Sequence, residues 1–400
     1  MSTDTENRAL LPSGLHDLLP PRAAQEADTI RALTDAFAAF GYEQVKPPLV
    51  EFETTLIGAA ENGGGTLAGQ MFRLMDPASQ RMMAVRADIT LQVARIAETR
   101  LCDTARPLRL SYAGEVLRVR GSQLRPERLF AQAGVELIGA ADVSADVEVV
   151  VLASEALAAA GVMAPTIDLN SPALVAHLLA DIDVEDAVVA QLRAALDHKD
   201  AAAVQELTRA HGVAFGAGAR MLNELVGASG AAEGVLPKLR ALELPAAAAV
   251  EVDRLEAVVA GVRAARAGLS LTLDPVEYRG FEYHTGVSFT VLATGVRGEL
   301  GRGGRYITTA GEAATGFSLY LDSIMRALPE PSVARKLYLP FGTPAAEAIQ
   351  LRAGGWITVA GLAPEAGARV EAQRLECSHC WHNGEILSLG DSGGDAPAEK

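Results

Sequence analysis

Residues 130 to 138 alternate as a strand does. Ala131, Ala133, Val135 and Leu137 fall on one side, and Gln132, Gly134 and Glu136 on the other. Successive side chains of a strand point to opposite faces, so this segment demands a sheet with one apolar and one polar face. Glu115 to Arg120 precedes it across a polar loop, Gly121 to Leu129, and reads as its antiparallel partner, with Arg118 and Arg120 on one face. The polar side of such a pair is either half wet or the floor of a pocket lined by Arg, Gln and Glu.

The rest of the chain supplies helices and further strands. Pro21 to Phe40 carries Ile30, Leu33, Phe37 and Phe40 at helical spacing and stops at Gly41. Val45 to Phe52 contains Pro47 and Pro48 and reads as extended. Asn62 to Gly65 is a flexible loop. Met71 to Met75 and Arg81 to Arg86 pair around the turn Asp76-Pro77, and Thr90 to Arg100 is helical with Asp88 placed to cap it. Pro107 to Tyr112 is a further strand, Asp146 to Ala160 a helix, and Pro165 to Leu169 a short strand. Residues 171 to 268 are rich in Ala and Leu at helical spacing and form a helical insertion. Strands resume at Leu269 to Asp274 and Tyr283 to Leu292, followed by a Gly-rich turn at Gly301 to Gly304 and a strand running into a helix over Gly316 to Leu328. A Pro-Glu-Pro linker at 329 to 331 separates a core, residues 1–330, from a small C-terminal α/β domain, 331–400, with a frayed acidic end. The fold class is therefore α+β, a largely antiparallel sheet with flanking helices.

Composition narrows the function. The 400 residues hold 50 acidic and 35 basic side chains, a net charge of −15, with 5% aromatics. Phosphate neutralisation needs clustered Lys and Arg, so a general nucleic-acid binder is not expected. The opening residues lack a basic region and an apolar run, and the most apolar stretch, Val147 to Ala164, is too short and too charged to span a bilayer. Three cysteines, Cys102, Cys377 and Cys380, do not make a disulfide framework. A cytoplasmic protein is expected.

No phosphate loop of the GxxxxGK[ST] type, no HExxH and no GxSxG occurs. Two clusters stand out. Arg279-Gly-Phe-Glu-Tyr-His-Thr-Gly286 leads into a strand and gathers donors and acceptors suited to a small zwitterion; it reads equally as a loop packed by its aromatics. Cys377, His379, Cys380 and His382 have metal-ligand spacing, but no second ligand pair is evident, and buried inert thiols are the simpler reading.

Taken in order, these segments resemble the histidyl-tRNA synthetase core of class II synthetases over about residues 10 to 328. Ser13 to Pro20 resembles the family's opening segment, Gly41 to Glu51 the dimer-forming motif 1, and Arg86 to Arg95 the segment that contacts the amino acid. Tyr112 to Arg118 and Phe130 to Gly139 resemble the two halves of motif 2. Arg279 to Gly286 and Gly303 to Tyr306 resemble the histidine-specific motifs, and Gly316 to Leu328 stands at motif 3. The resemblance implies a histidine-type pocket. Gln132 and Glu136 would line it with Asp88 and Thr90. Arg279 would meet a carboxylate or phosphate, and Tyr283, His284 and Tyr306 would shape the imidazole end. Asp88 reads equally as a helix cap.

The departures carry as much weight. Arg118 is kept as a phosphate-binding type of residue, but Arg120 stands where motif 2 of active synthetases has Glu. Asp322-Ser323 stands where motif 3 ends in Glu-Arg, and that Arg holds the nucleotide phosphates. The pattern is similar to the regulatory subunits of ATP phosphoribosyltransferase, synthetase paralogues without aminoacylation. That resemblance implies no catalytic residue, no cofactor and no bound metal. It implies a homodimer through the motif 1 region and a hetero-oligomer with a short-form catalytic subunit. It also implies a part in the first step of histidine biosynthesis, with feedback by histidine. The competing readings are a divergent histidyl-tRNA synthetase or related amino-acid ligase, and a free-standing histidine sensor.

Overall fold

A computed structural model describes residues 10–58, 68–123, 125–180, 184–211, 218–277, 284–331 and 335–389. The chain divides into two units, residues 1–329 and 330–400. The first is built on nine strands. Their spatial order is β1 (Glu43–Gln44), β5 (Leu108–Leu117), β6 (Leu129–Ile138), β12 (Ala313–Tyr320), β11 (Gly301–Ile307), β10 (His284–Leu292), β7 (Thr166–Asn170), β9 (Ser270–Leu273) and β8 (Gly230–Ala231). Only β1–β5 and β7–β9 run parallel. A small antiparallel sheet, β2 (Val50–Phe52), β4 (Met82–Val85) and β3 (Arg73–Met75), stands apart.

The alternation along β6 extends across its neighbours. Ala133, Val135 and Leu137 share a face with Leu319, Phe317 and Thr315 of β12, and Phe289 and Val291 of β10 align with Leu169 and Ile167 of β7. This first face is buried under α1 (Arg22–Ala39) and α4 (Val143–Ala159) in one large apolar cluster. Phe37 of α1 meets Phe317 edge to face, ring centroids 5.7 Å apart. The second face carries Gln132, Gly134 and Glu136 and is covered by α3 (Thr90–Thr99), whose Val93 and Ala97 pack with Leu110 and Tyr112. Both faces of β6 are thus buried, and its polar face is not wet.

The insertion contains α5 (Pro172–Ala180), α6 (Asp186–Asp197), α7 (Ala201–Ala210), α8 (Gly218–Val226), α9 (Ala232–Arg240) and α10 (Ala246–Ala265). A short helix over Glu53–Gly58 and another, Leu321–Ala327 directly after β12, complete the unit. In the second unit, β14 (Ile357–Ala360), β13 (Lys336–Leu339), β15 (His379–His382) and β16 (Glu385–Ser388) form a four-stranded sheet. Two helices, Ala345–Ala353 and Ala368–Arg374, accompany it. No helix of the described residues is long and apolar enough to cross a membrane.

Three expectations need correction. The two strands read over Pro107–Arg120 are one, β5, paired with β6 without a break from Leu108↔Ile138 to Leu117↔Leu129. That strand ends at Leu117, so Arg118 and Arg120 do not share a strand face. Arg118 N still donates to Arg128 O, and the backbone changes partners one residue later, where Val119 N donates to Gln70 O. Gly301 to Gly304 is not a turn but the start of β11 in the middle of the sheet. At Gly303 a Cβ would lie 2.5 Å from Gly316 O and from the Phe289 ring, so glycine there permits close strand packing. Asn62 to Gly65 and the acidic end, 390 to 400, lie outside the described residues.

One charged pair sits on the apolar side. Arg305 Nε donates to both Asp146 oxygens at 3.0 Å, and its other nitrogens donate to Ala140 O and Asp142 O at 2.9 and 3.0 Å. The pair ties β11 to the first turn of α4 with both side chains buried. Breaking such a pair leaves a buried charge uncompensated. Asp146→Ala is expected to cost about 3–5 kcal/mol in chemical denaturation; a loss below about 1 kcal/mol, the range of exposed pairs, would contradict this role.

Candidate functional site

The second face of β6 gathers the polar groups. Gln132, Gly134 and Glu136 stand opposite Tyr320, Ser318 and Gly316 of β12, and opposite Gly114, Tyr112 and Leu110 of β5. The start of α3 delivers Asp88 and Thr90 to the same place. Gln132 Nε2 donates to Asp88 Oδ2 at 2.8 Å and to Ser318 Oγ at 2.6 Å, while Gln132 Oε1 accepts from Ile89 N at 3.1 Å. Asp88 Oδ1 accepts from Thr90 N at 2.9 Å. Asp88 therefore both holds the start of the helix and orients Gln132. The Tyr112 hydroxyl lies 2.8 Å from Ser318 Oγ and 3.1 Å from Thr90 Oγ1.

Glu136 is the focus of this network. Only 1% of it is exposed. The Tyr306 hydroxyl donates to its Oε2 at 2.9 Å, and the Tyr112 hydroxyl approaches Oε1 at 3.5 Å. A Cβ on Gly316 would lie 2.2 Å from Oε2, so the facing strand must present glycine there. Burial pushes the carboxyl from 4.5 up to about 8, although the Tyr306 hydrogen bond favours the ionised form. Glu136 and Asp88 are the carboxylates here, and both are acceptors when ionised. Such a constellation fits a small ligand rich in N–H donors.

The structure brings Asp88, Thr90, Gln132, Glu136 and Tyr306 into one network. His284, the first residue of β10, is buried and faces Tyr306 in register. Arg279 and Tyr283 lie outside the described residues. Arg118 stands to one side; its Nε donates to Ala87 O at 3.2 Å and its guanidinium lies 5.1 Å from the Phe130 ring centre. Tyr112 and Ser318 escaped the sequence reading. Tyr112 had a signal, since it faces Gly134 once the register of β5 and β6 is fixed. In the second unit, Cys377 and Cys380 are buried, and burial raises both thiols above their ordinary value.

A family model for histidyl-tRNA synthetase matches residues 14–324. An ATP phosphoribosyltransferase regulatory subunit of Paramagnetospirillum magneticum is 54% identical over 377 residues, 94% of this chain and 97% of that protein. The chain belongs to the family of ATP phosphoribosyltransferase regulatory subunits. A crystal structure of an ATP phosphoribosyltransferase regulatory subunit/histidyl-tRNA synthetase from Bacillus halodurans superposes with a TM-score of 0.79 at 25% identity, covering 91% of this chain and 96% of that one. The HisG:HisZ ATP phosphoribosyl transferase complex of Thermotoga maritima contains a chain that shares the fold, with a TM-score of 0.58 at 16% identity, covering 74% of this chain and 97% of that one.

Family membership directs attention to the end of β12. Ser323, where the synthetase pattern has Arg, is buried, and its hydroxyl accepts from Arg326 Nη2 at 2.9 Å. Asp322 beside it pairs with Arg125 at 3.5 Å and with Arg326 at 3.4 Å. Arg125, which the sequence reading passed over, lies over the Tyr320 ring, its Cζ 3.7 Å from the ring centre, and pairs with Glu299 at 3.2 Å. Tyr320 in turn meets Phe130 edge to face at 6.0 Å. Rings and internal ion pairs therefore engage this guanidinium.

The raised Glu136 carboxyl makes stability pH-dependent. Folded, the group keeps its proton up to about 8; unfolded, it loses it near 4.5. The native state thus binds the extra proton between those values, and stability falls as pH rises through that window. Thermal melts of the wild type are expected to decline more steeply than those of Glu136→Gln between about pH 5 and about pH 8; parallel profiles would contradict the assignment.

Proposed function

We propose that this chain is the non-catalytic partner of a short-form ATP phosphoribosyltransferase catalytic subunit. It would be required for the first step of histidine biosynthesis in the cytoplasm and would carry the feedback response to histidine. The observation that carries this reading is an asymmetry along β12. Its Gly316–Ser318 end belongs to a buried polar network of amino-acid type. Beyond its far end, the helix Leu321–Ala327 carries a buried Ser323 where a ligase would grip phosphates, beside an Arg125 engaged with Asp322, Glu299 and Tyr320.

In this reading histidine lies on the second face of the sheet. Glu136 takes an imidazole N–H or the ammonium group, and a donor arriving there favours its ionised form. Asp88, Thr90 and Gln132 receive the ammonium end. Arg279 meets the carboxylate with its planar fork, Tyr283, His284 and Tyr306 bound the ring, and Arg118 keeps a phosphate-type role. The partner is supported by the chain's likeness to regulatory subunits and by the fold it shares with a HisG:HisZ complex. A homodimer through residues 41–51 and the adjoining small sheet is supported by exposed apolar groups: Leu49 and the cross-strand pair Met75–Met82.

Reconstitution tests this directly. Adding the purified chain to a short-form catalytic subunit should switch on phosphoribosyl transfer, and histidine should lower it. The Glu136→Gln chain should still activate but need at least about tenfold more histidine, the size expected for losing a charge-assisted hydrogen bond. Absence of both activation and complex formation would overturn the partner assignment. Activation with an unchanged histidine response in Glu136→Gln would overturn the pocket alone.

A further inference from the structure

Three carboxylates meet at the other end of the same sheet face. Asp168 lies on β7, Asp274 directly follows β9, and Glu277 lies three residues further on. One oxygen from each lies within 4.8 Å of the other two. Oxygen atoms bound to one Mg²⁺, Mn²⁺ or Ca²⁺ ion at about 2.0–2.6 Å are separated by up to about 4–5 Å, so this spacing suits one hard cation. Carboxylate oxygen is the donor such ions prefer.

The neighbouring groups hold the oxygens in place. Thr272 Oγ1 donates to Asp168 Oδ1, and Asn170 Nδ2 donates to Glu277 Oε2 at 3.1 Å. Two cations act on the three carboxylates: Lys199 Nζ lies 2.5 Å from Asp274 Oδ2, and the Arg302 guanidinium of β11 favours the ionised form of Glu277. Lys199 reaches in from the turn between α6 and α7, and its side chain remains 45% exposed. It can therefore swing away without opening the core.

A second observation is independent of the acidic residues. Thr290 of β10 stands in register between Asp168 of β7 and Arg302 of β11, on the same side of the sheet, in the row Thr272–Asp168–Thr290–Arg302. It is 6% exposed, and its hydroxyl oxygen is buried without a hydrogen-bond partner. A buried hydroxyl next to Asp168 that makes no hydrogen bond is short of a partner. An ion at the carboxylates, or a water bound to that ion, would satisfy it.

We propose that Asp168, Asp274 and Glu277 form a divalent-cation site in which the ion and the Lys199 ammonium exclude each other. With Lys199 in place the insertion is tied to the sheet through Asp274; with the ion in place that tie is released. The site is separate from the Glu136 network and does not depend on the histidine reading.

Titration of the full chain with Mn²⁺, followed by the electron paramagnetic resonance signal of the free ion, tests this. One Mn²⁺ per chain is expected. Glu277→Gln should weaken it by at least about tenfold, in the range for disturbed metal sites, whereas Lys199→Met should tighten it because the competing ammonium is gone. Should Glu277→Gln fail to fold, Asp168→Asn provides the same comparison. Equal Mn²⁺ affinity in the wild type and the carboxamide variant would overturn the site. So would a natively folded Lys199→Met chain that takes up no Mn²⁺ at millimolar concentration; the trio would then be a lysine socket only.

Discussion

Burying a carboxyl group in the middle of a sheet is costly unless its surroundings are arranged for it. Glu136 sits on a strand whose other face is sealed by α1 and α4, so it cannot escape to water by a change of register. A one-residue slip of β6 would drive Gln132 and Glu136 into Phe37 and Phe317 and expose the Ala-Val-Leu row to the polar side. The Tyr306 hydroxyl, the Tyr112 hydroxyl and the glycine at 316 all answer that one buried group. The network through Ser318, Thr90, Gln132 and Asp88 then fixes where α3 begins. Residues from five separate stretches of sequence are positioned by one acid.

The same face ends differently beyond Ser318. Tyr320, Phe130 and Arg125 fill it with rings and a guanidinium, and Asp322 and Glu299 balance that charge. A nucleotide triphosphate needs fixed cations aimed at its phosphates. Here a cation is present, but its partners lie within the chain. A buried polar network and a cluster of rings and internal ion pairs thus lie side by side on one sheet face.

Much of this was legible in the sequence. The period-2 pattern of β6 fixed its two faces, and Leu33 and Phe37 announced the inner side of α1. The family resemblance named Asp88, Thr90, Gln132, Glu136 and Tyr306, which do converge. Other features were hidden for physical reasons. Glycines 301, 303 and 304 look like a turn, since a strand that needs close neighbours and a loop that needs freedom use the same residue. Pro107–Tyr112 and Glu115–Arg120 read as two strands, but the pairing with β6 runs straight through Gly114 between them. Ser318 is 186 residues from Gln132, and a serine between Phe317 and Leu319 carries no periodic signal. Arg125 belongs to a polar loop, and only the fold shows that it covers Tyr320. The convergence of Asp168 with Asp274 and Glu277 likewise depends on the parallel pairing of β7 and β9 across the whole helical insertion.

A non-catalytic role requires that the Ser323 end of the sheet support no chemistry on ATP. Pyrophosphate exchange into ATP, measured with the purified chain and histidine, asks this directly. The arrangement of Arg125, Tyr320 and Ser323 predicts no exchange above background at saturating histidine. Histidine-dependent exchange at an enzyme-like rate would show that another cation serves the phosphates, and would contradict a non-catalytic role.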